Sequence, residues 1–332
     1  MTNLFIFNSD FRLADNPGLF HAAENGESLV AIFINNPKKW ESHNESDVKI
    51  AFQIEHLKKL SKKLSELKIS LKILDVDGIE EESQKIIEFV KRKNIKEVFI
   101  NKEYGINEIN RDLNLKKELA SIDIKLNSFD SSVFFPESIK TQSDTSFKVF
   151  TPFSKAFRSK LLTKKIEILG LPKKQNNKVL ESDEIEDFSL KPERKNILEL
   201  YKAGEEYALD KLDEFIDHKI HSYKAKRDYP AINGTSSLSP YLSSGVLSSR
   251  QCLFKVFEKL SEEEEGIKTW VNEIIWREFY KYILFHNPRV SKNLSFSEKY
   301  DNFPWSDNLD HFIAWSKGET GVPIIDAAMR QL

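Results

Sequence analysis

The fold class this sequence predicts is an α/β N-terminal domain with a doubly wound parallel sheet, followed by a mostly α-helical domain. Three observations carry it. Short β-type runs alternate with helix-spaced segments as far as Phe129, a polar Lys-rich stretch then breaks the pattern, and from Glu205 onward the apolar spacing is helical. The strand runs are Leu4–Phe7, Leu29–Ile34, Leu71–Val76, Glu97–Ile100 and Ile124–Phe129. Between them, Asp47–Leu67, Glu80–Lys93 and Glu108–Ala120 have apolar residues at helical spacing. Ile50, Ile54, Leu57, Leu60 and Leu64 make one such stripe, suited to packing on a sheet. Open parallel sheets bind ligands beyond the carboxyl ends of their strands. That singles out Asn8–Asn16, Asn35–Asn44 and Asn101–Asn107 as a candidate site.

The expected division is residues 1–132, a connection over 133–200, and a helical part over 201–332. Between Phe147 and Lys178 nine Lys or Arg residues face one acid, Glu167, which reads as a solvated connection with a helix near Phe153–Leu169. The last segment, Val322–Leu332, reads as a helix whose apolar face (Ile324, Ile325, Ala328, Met329, Leu332) runs to the final residue without a cap. The expectation is a helical domain cut short.

Composition narrows the function. A net charge of -2 provides no global field for a nucleic acid, so any DNA contact needs a local basic surface. Cys252 is the only cysteine, which excludes an intramolecular disulfide and fits a reducing cytoplasm. No apolar run approaches the roughly 18 residues of a membrane span. The glycines form neither a dinucleotide fingerprint nor a P-loop, and no G-x-S-x-G elbow occurs. His218 and His221, read as sharing a helix face, lack a third ligand, which speaks against a metal site.

Two segments carry chemistry. In Gly234–Leu242, GTSSLSPYL, Ser239 and Pro240 read as N-cap and first helical residue. The hydroxyls of Thr235, Ser236, Ser237 and Ser239 then sit beside free backbone N–H groups, which describes either a phosphate cradle or a plainly capped helix. In Trp270–Tyr282, WVNEIIWREFYKY, residues Glu273, Trp276, Arg277 and Tyr280 share one helical face. Val271, Ile275, Phe279 and Tyr282 take the opposite face, so the helix should be buried. Glu273 and Arg277 are then either a structural pair or part of a pocket wall for a planar polar ligand, with Trp276 suited to stacking on a base.

The blocks DFRLADN (10–16), YGINEINRD (104–112), KVFTPF (148–153), RDYPAINGTSSLSPYLSSGVLSSRQC (227–252), WVNEIIWREFYK (270–281) and GETGVPIIDAAMRQL (318–332) make the sequence recognisable. In order and spacing it resembles the class I cyclobutane pyrimidine dimer DNA photolyases of the photolyase/cryptochrome family over its whole length. The resemblance implies an α/β antenna domain and a helical FAD-binding domain. It assigns FAD to Tyr223, Thr235, Ser236, Ser237, Leu238, Ser239, Trp270, Glu273 and Arg277. Glu273 and Trp276 would face a flipped-out dimer, Arg227 a DNA phosphate, and Trp305 would be the outermost tryptophan of the chain that photoreduces the flavin. The antenna chromophore, 5,10-methenyltetrahydrofolate, is expected against His43, Asn107, Glu108, Ser291 and Lys292. The implied reaction is one-electron transfer from excited reduced FAD to the dimer, in a monomeric cytoplasmic enzyme acting on DNA. Ser237 and Asn8 depart from Arg residues common in the family, and beyond Leu332 the family continues with the rest of its flavin pocket and the inner two tryptophans. A cryptochrome-type photoreceptor and an inactive α/β chromophore-binding fragment are the competing readings.

Overall fold

Five strands form one parallel sheet in the order β3-β2-β1-β4-β5: β1 Thr2–Phe7, β2 Ser28–Asn35, β3 Ser70–Asp75, β4 Ile95–Asn101 and β5 Lys125–Phe129. The computed structural model describes residues 2–331 apart from 136, 189 and 191–194, so Leu332 and part of the expected connection lie outside the described residues. Around the sheet run α1 (Pro17–Glu24), α2 (Pro37–Ser42), α3 (Asp47–Glu66), α4 (Ile79–Arg92) and α5 (Ile106–Ala120). Alternation along each strand divides the core into two faces. Leu4, Ile6, Val30, Ile32, Val98 and Ile100 pack under α4 and α5 through Ile86, Phe89, Leu115 and Leu119. Phe5, Phe7, Ala31, Phe33 and Phe99 meet α1 and α3, and this face continues into the helices that follow. The predicted stripe on α3 is buried at Ile50, Leu57, Leu60 and Leu64 and half-buried at Ile54.

α1 and α2 are absent from the sequence reading. Both are too short for periodicity to register, yet each has an Asn-Pro start: Asn16 caps Leu19 N and Asn36 caps Lys39 N, with proline just inside.

The remaining helices are α6 (Phe150–Thr163), α7 (Lys195–Leu200), α8 (Glu205–His218), α9 (Tyr223–Lys226), α10 (Ser239–Ser243), α11 (Ser249–Lys259), α12 (Glu265–His286), α13 (Leu309–Lys317) and α14 (Pro323–Gln331). The connecting helix thus starts three residues earlier than predicted and ends at Thr163. His218 closes α8 whereas His221 lies in a separate 3-10 turn, Ile220–Ser222, so they do not share a helix face; His221 Nδ1 instead meets Glu264 at 2.6 Å.

By its contacts the chain falls into two units, Met1–Ser291 and Lys292–Leu332. In the second, α13 ends at Gly318 in the left-handed conformation (φ 67°). Asp326 then holds the GETG turn, accepting from Thr320 N at 2.8 Å, Thr320 Oγ1 at 2.6 Å and Gly321 N at 2.9 Å. No helix among the described residues is long and apolar enough to cross a membrane, and no His, Cys, Asp or Glu cluster among them could hold a metal.

Candidate functional site

The DFRLADN segment is a seam. Arg12 donates to Gly245 O at 2.8 Å and to Asp15 O and Ser131 Oγ, while Glu205 accepts from Leu13 N at 2.8 Å and Ala14 N at 3.0 Å. Asp15 is fully buried; Arg250 Nε meets its two carboxylate oxygens at 2.9 and 3.1 Å, and Ser248 Oγ donates at 2.5 Å. These contacts fix the start of α11 and the end of α10 against the sheet's first loop. Burial pushes the Asp10 carboxyl up to about 6 despite its hydrogen bond from Asn101.

A cleft of about 470 Å³ opens beside this seam, walled by α9, the Gly234–Ser243 segment and α12. It gathers Tyr223, Ser236, Ser239, Trp270, Glu273 and Arg277 from the residues singled out in the sequence. Three others stand apart: Thr235 is exposed, Ser237 adopts the left-handed conformation (φ 50°), and Leu238 is buried in the core. Ser239 does not cap the helix. Leu238 is already near helical (φ -93°, ψ -4°), its carbonyl accepts Leu242 N at 3.0 Å, and α10 begins at Ser239 and runs for five residues with no side-chain cap. The predicted phosphate cradle therefore reduces to hydroxyls on a cleft wall.

Within α12 the charged groups divide. Arg277 donates to Ser249 Oγ and Leu242 O, both at 2.9 Å, and so ties α10 and α11 to α12. Glu273 pairs with Arg227 rather than Arg277, and the Arg227 guanidinium also lies 5.4 Å from the Tyr223 ring centre. Glu278, not singled out in the sequence, is the buried carboxylate: it accepts Phe134 N at 2.9 Å. Trp276 does not line the cleft. Its ring stacks on Phe150 of α6, centroids 3.5 Å apart and planes 6° apart, with Tyr280 5.6 Å away on its own helix. Tyr280 is 65% exposed, so α12 is buried on one side only.

The second site sits where sheet topology puts it. β1 pairs with β2 on one side and β4 on the other, so the strand order switches sides at β1 and leaves a crevice at its carboxyl end. There a crevice of about 190 Å³ is lined from all three predicted segments, including Asn8, Asn36, His43 and Glu103, with Glu108 and Arg111 of α5. Lys39 Nζ lies 2.9 Å from Glu108, which holds that carboxyl below its usual range against the effect of burial. Burial opposes the charge on Arg111, yet Asp112, Glu103 and Glu82 outweigh it and push its guanidinium up. Arg111 Nη1 donates to Asn8 Oδ1 at 3.2 Å.

Of the expected antenna residues, His43 and Glu108 line this crevice. Asn107 is exposed and does not line it, and exposed Ser291 accepts the neighbouring Ile106 N–H at 3.0 Å. Lys292 and Trp305 belong to the second unit, where Trp305 is 80% exposed. A larger apolar hollow of about 780 Å³, between α6 and α11, holds no residue singled out in the sequence.

A family model described as "DNA photolyase" matches residues 3–173, and one described as "FAD binding domain of DNA photolyase" matches 270–332. The deoxyribodipyrimidine photo-lyase of Buchnera aphidicola (subsp. Acyrthosiphon pisum) is 35% identical over 99% of this chain and 69% of its own length. Among solved structures, the class III photolyase of Agrobacterium tumefaciens superposes with a TM-score of 0.84 at 26% identity, covering 100% of this chain and 68% of that one. An archaeal photolyase from Sulfolobus tokodaii, described with two FAD molecules, superposes at 0.75 with 25% identity, covering 100% and 70%.

Proposed function

The chain belongs to the DNA photolyase family, and from that premise we propose that it repairs cyclobutane pyrimidine dimers in DNA under light. The observation that carries this is the α9–α12 cleft, which brings Tyr223, Ser236, Ser239, Trp270, Glu273 and Arg277 together from three separate stretches of chain. The donor set fits FAD: hydroxyls for phosphates, an indole wall for a ring, and a carboxylate and a guanidinium for polar edges. Held there by these residues, reduced FAD would supply one-electron donor chemistry, with the electron returned once the cyclobutane ring has opened.

The chain's own residues bind, orient and exclude water. Arg277 holds the cleft's shape through Ser249 and Leu242. Glu273 is the acceptor for a thymine imide N–H, and its present partner Arg227 is released to a DNA phosphate. Both side chains of that pair keep contact with solvent, 37% and 31% exposed, so the exchange is inexpensive. A dimer that reaches Trp276 meets a ring already stiffened by Phe150. Flipping is easiest for a damaged step, where stacking and pairing are already weak. In this reading residues 201–332 serve the flavin, with Trp305 as an electron entry point, residues 133–200 connect, and residues 1–132 hold 5,10-methenyltetrahydrofolate in the β1–β4 crevice beside His43 and Glu108. The archaeal relative described with two FAD molecules makes a second flavin the alternative occupant.

The test is the purified chain, reconstituted with FAD, illuminated with blue light on an oligonucleotide carrying one thymine dimer. Dimer loss that needs light and falls at least tenfold in Glu273→Ala supports the reading. Stoichiometric flavin with intact dimers, together with light-dependent binding of another protein, would instead favour a photoreceptor.

A further inference from the structure

We propose that Lys281 is a further cofactor ligand, the cation that meets the diphosphate of a dinucleotide in the α9–α12 cleft. The inference rests on the flavin reading of that cleft and names a residue the sequence patterns passed over. Two cations line the cleft, Arg277 and Lys281, one helical turn apart on α12. Arg277 is already committed, with Nη1 on Ser249 Oγ and Nη2 on Leu242 O. The cleft's carboxylate, Glu273, is likewise engaged by Arg227. No hydrogen bond or ion pair to the Lys281 ammonium occurs among the described residues, although its side chain is partly withdrawn from solvent.

An ammonium held in a partly dry cleft with carboxylates near it but none bonded to it is poorly compensated unless something arrives to share the charge. Burial, reinforced by Arg277, pulls Lys281 down to about 8, although the carboxylates of Glu278 and Glu103 act in the opposite direction. A diphosphate supplies a bonded anion. The hydroxyls of Ser236, Ser239 and Ser243 face the same cleft and can donate to its oxygens, so charge and hydrogen-bond donors converge there. Lysine suits this task as a mobile point charge, where a guanidinium fixed to protein acceptors does not.

The experiment titrates FAD into the full chain by flavin fluorescence, for wild type, Lys281→Met and Lys281→Arg, at two salt concentrations. Lys281→Met should weaken FAD binding roughly tenfold to a hundredfold and flatten its salt dependence, with riboflavin, which has no phosphate, bound as before. Lys281→Arg should keep most of the affinity, and matching melting temperatures establish that the variants fold. Unchanged FAD affinity in Lys281→Met, or an equal loss for riboflavin, overturns the assignment while leaving the flavin reading standing. Wild type that binds neither flavin sinks the cleft reading, and the assignment falls with it.

Discussion

Asp15→Asn isolates one charge at the seam between the sheet and the helices. Asp15 adopts a left-handed backbone (φ 53°), which asparagine tolerates as well as aspartate, so the substitution leaves the turn intact. What it removes is the buried carboxylate facing Arg250 Nε at 2.9 and 3.1 Å and Ser248 Oγ at 2.5 Å. Breaking a buried pair by neutralising one partner destabilises by roughly 3–5 kcal/mol. The Arg250 side chain keeps 14% exposure and recovers some hydration, so about 3 kcal/mol is expected. For a unit of this size that corresponds to a melting temperature lower by about 6–12 °C. Urea unfolding followed by circular dichroism measures it, and Arg250→Met with the double variant closes the cycle. The coupling should exceed about 1 kcal/mol. A loss below about 1 kcal/mol for Asp15→Asn would refute the claim that this pair holds the seam.

Two further predictions test the same region. His56 is held down to about 3 by burial, so the unfolded chain takes up a proton near 6.5 where the folded one does not, and stability falls with acid through that window. Asp10, raised by burial from 3.8 to about 6, acts oppositely: its contribution is present below 3.8 and is lost as pH rises through 6. Over the shared range the two slopes, each up to about 1.4 kcal/mol per pH unit, offset one another. His56→Gln should therefore gain stability on acidification relative to wild type, and parallel curves from urea titrations across that range would contradict the assignment. Gly245→Ala should destabilise by roughly 3 kcal/mol or more, because its φ is +66° and an added Cβ would lie 2.0 Å from the Ser9 carbonyl oxygen. Gly170→Ala, with nothing within 4 Å, is the control, and equal urea midpoints for the two variants would dismiss the close approach.

Periodicity made the sheet and its long helices legible, because strands buried on both faces and a stripe like that on α3 leave patterns in the sequence itself. The crevice was legible for the same reason, since strand order and direction alone fix where an open sheet binds. The failures occur where a distant partner decides. Helical spacing grouped Glu273, Trp276, Arg277 and Tyr280, but the cleft takes Trp270, Glu273, Ile274, Arg277 and Lys281. The two sets share Glu273 and Arg277, but Trp276 falls outside the arc of the cleft residues and stacks on Phe150 instead. Lys281 could have been found by extending the Glu273–Arg277 spacing one more turn. Glu278 could not, because its partner is the backbone N–H of Phe134, 144 residues away.

Glu273 and Glu278 show how structure separates a binding group from a scaffolding one. They stand five positions apart on α12, and by residue type and propensity nothing distinguishes them. Glu278 is 1% exposed, accepts Phe134 N and lies 3.5 Å from Arg277, so removing either partner strands a buried charge. Such a carboxylate cannot exchange partners and must be structural. Glu273 is 37% exposed and pairs with an arginine almost as open, an interaction worth no more than about 1 kcal/mol. A ligand that donates one good hydrogen bond to that carboxylate and offers a phosphate to Arg227 replaces the pair with two stronger contacts. Exchangeability is therefore what supports the proposed recognition role of Glu273, and the same criterion supports the proposal of Lys281, rather than Arg277, as the cation that binds.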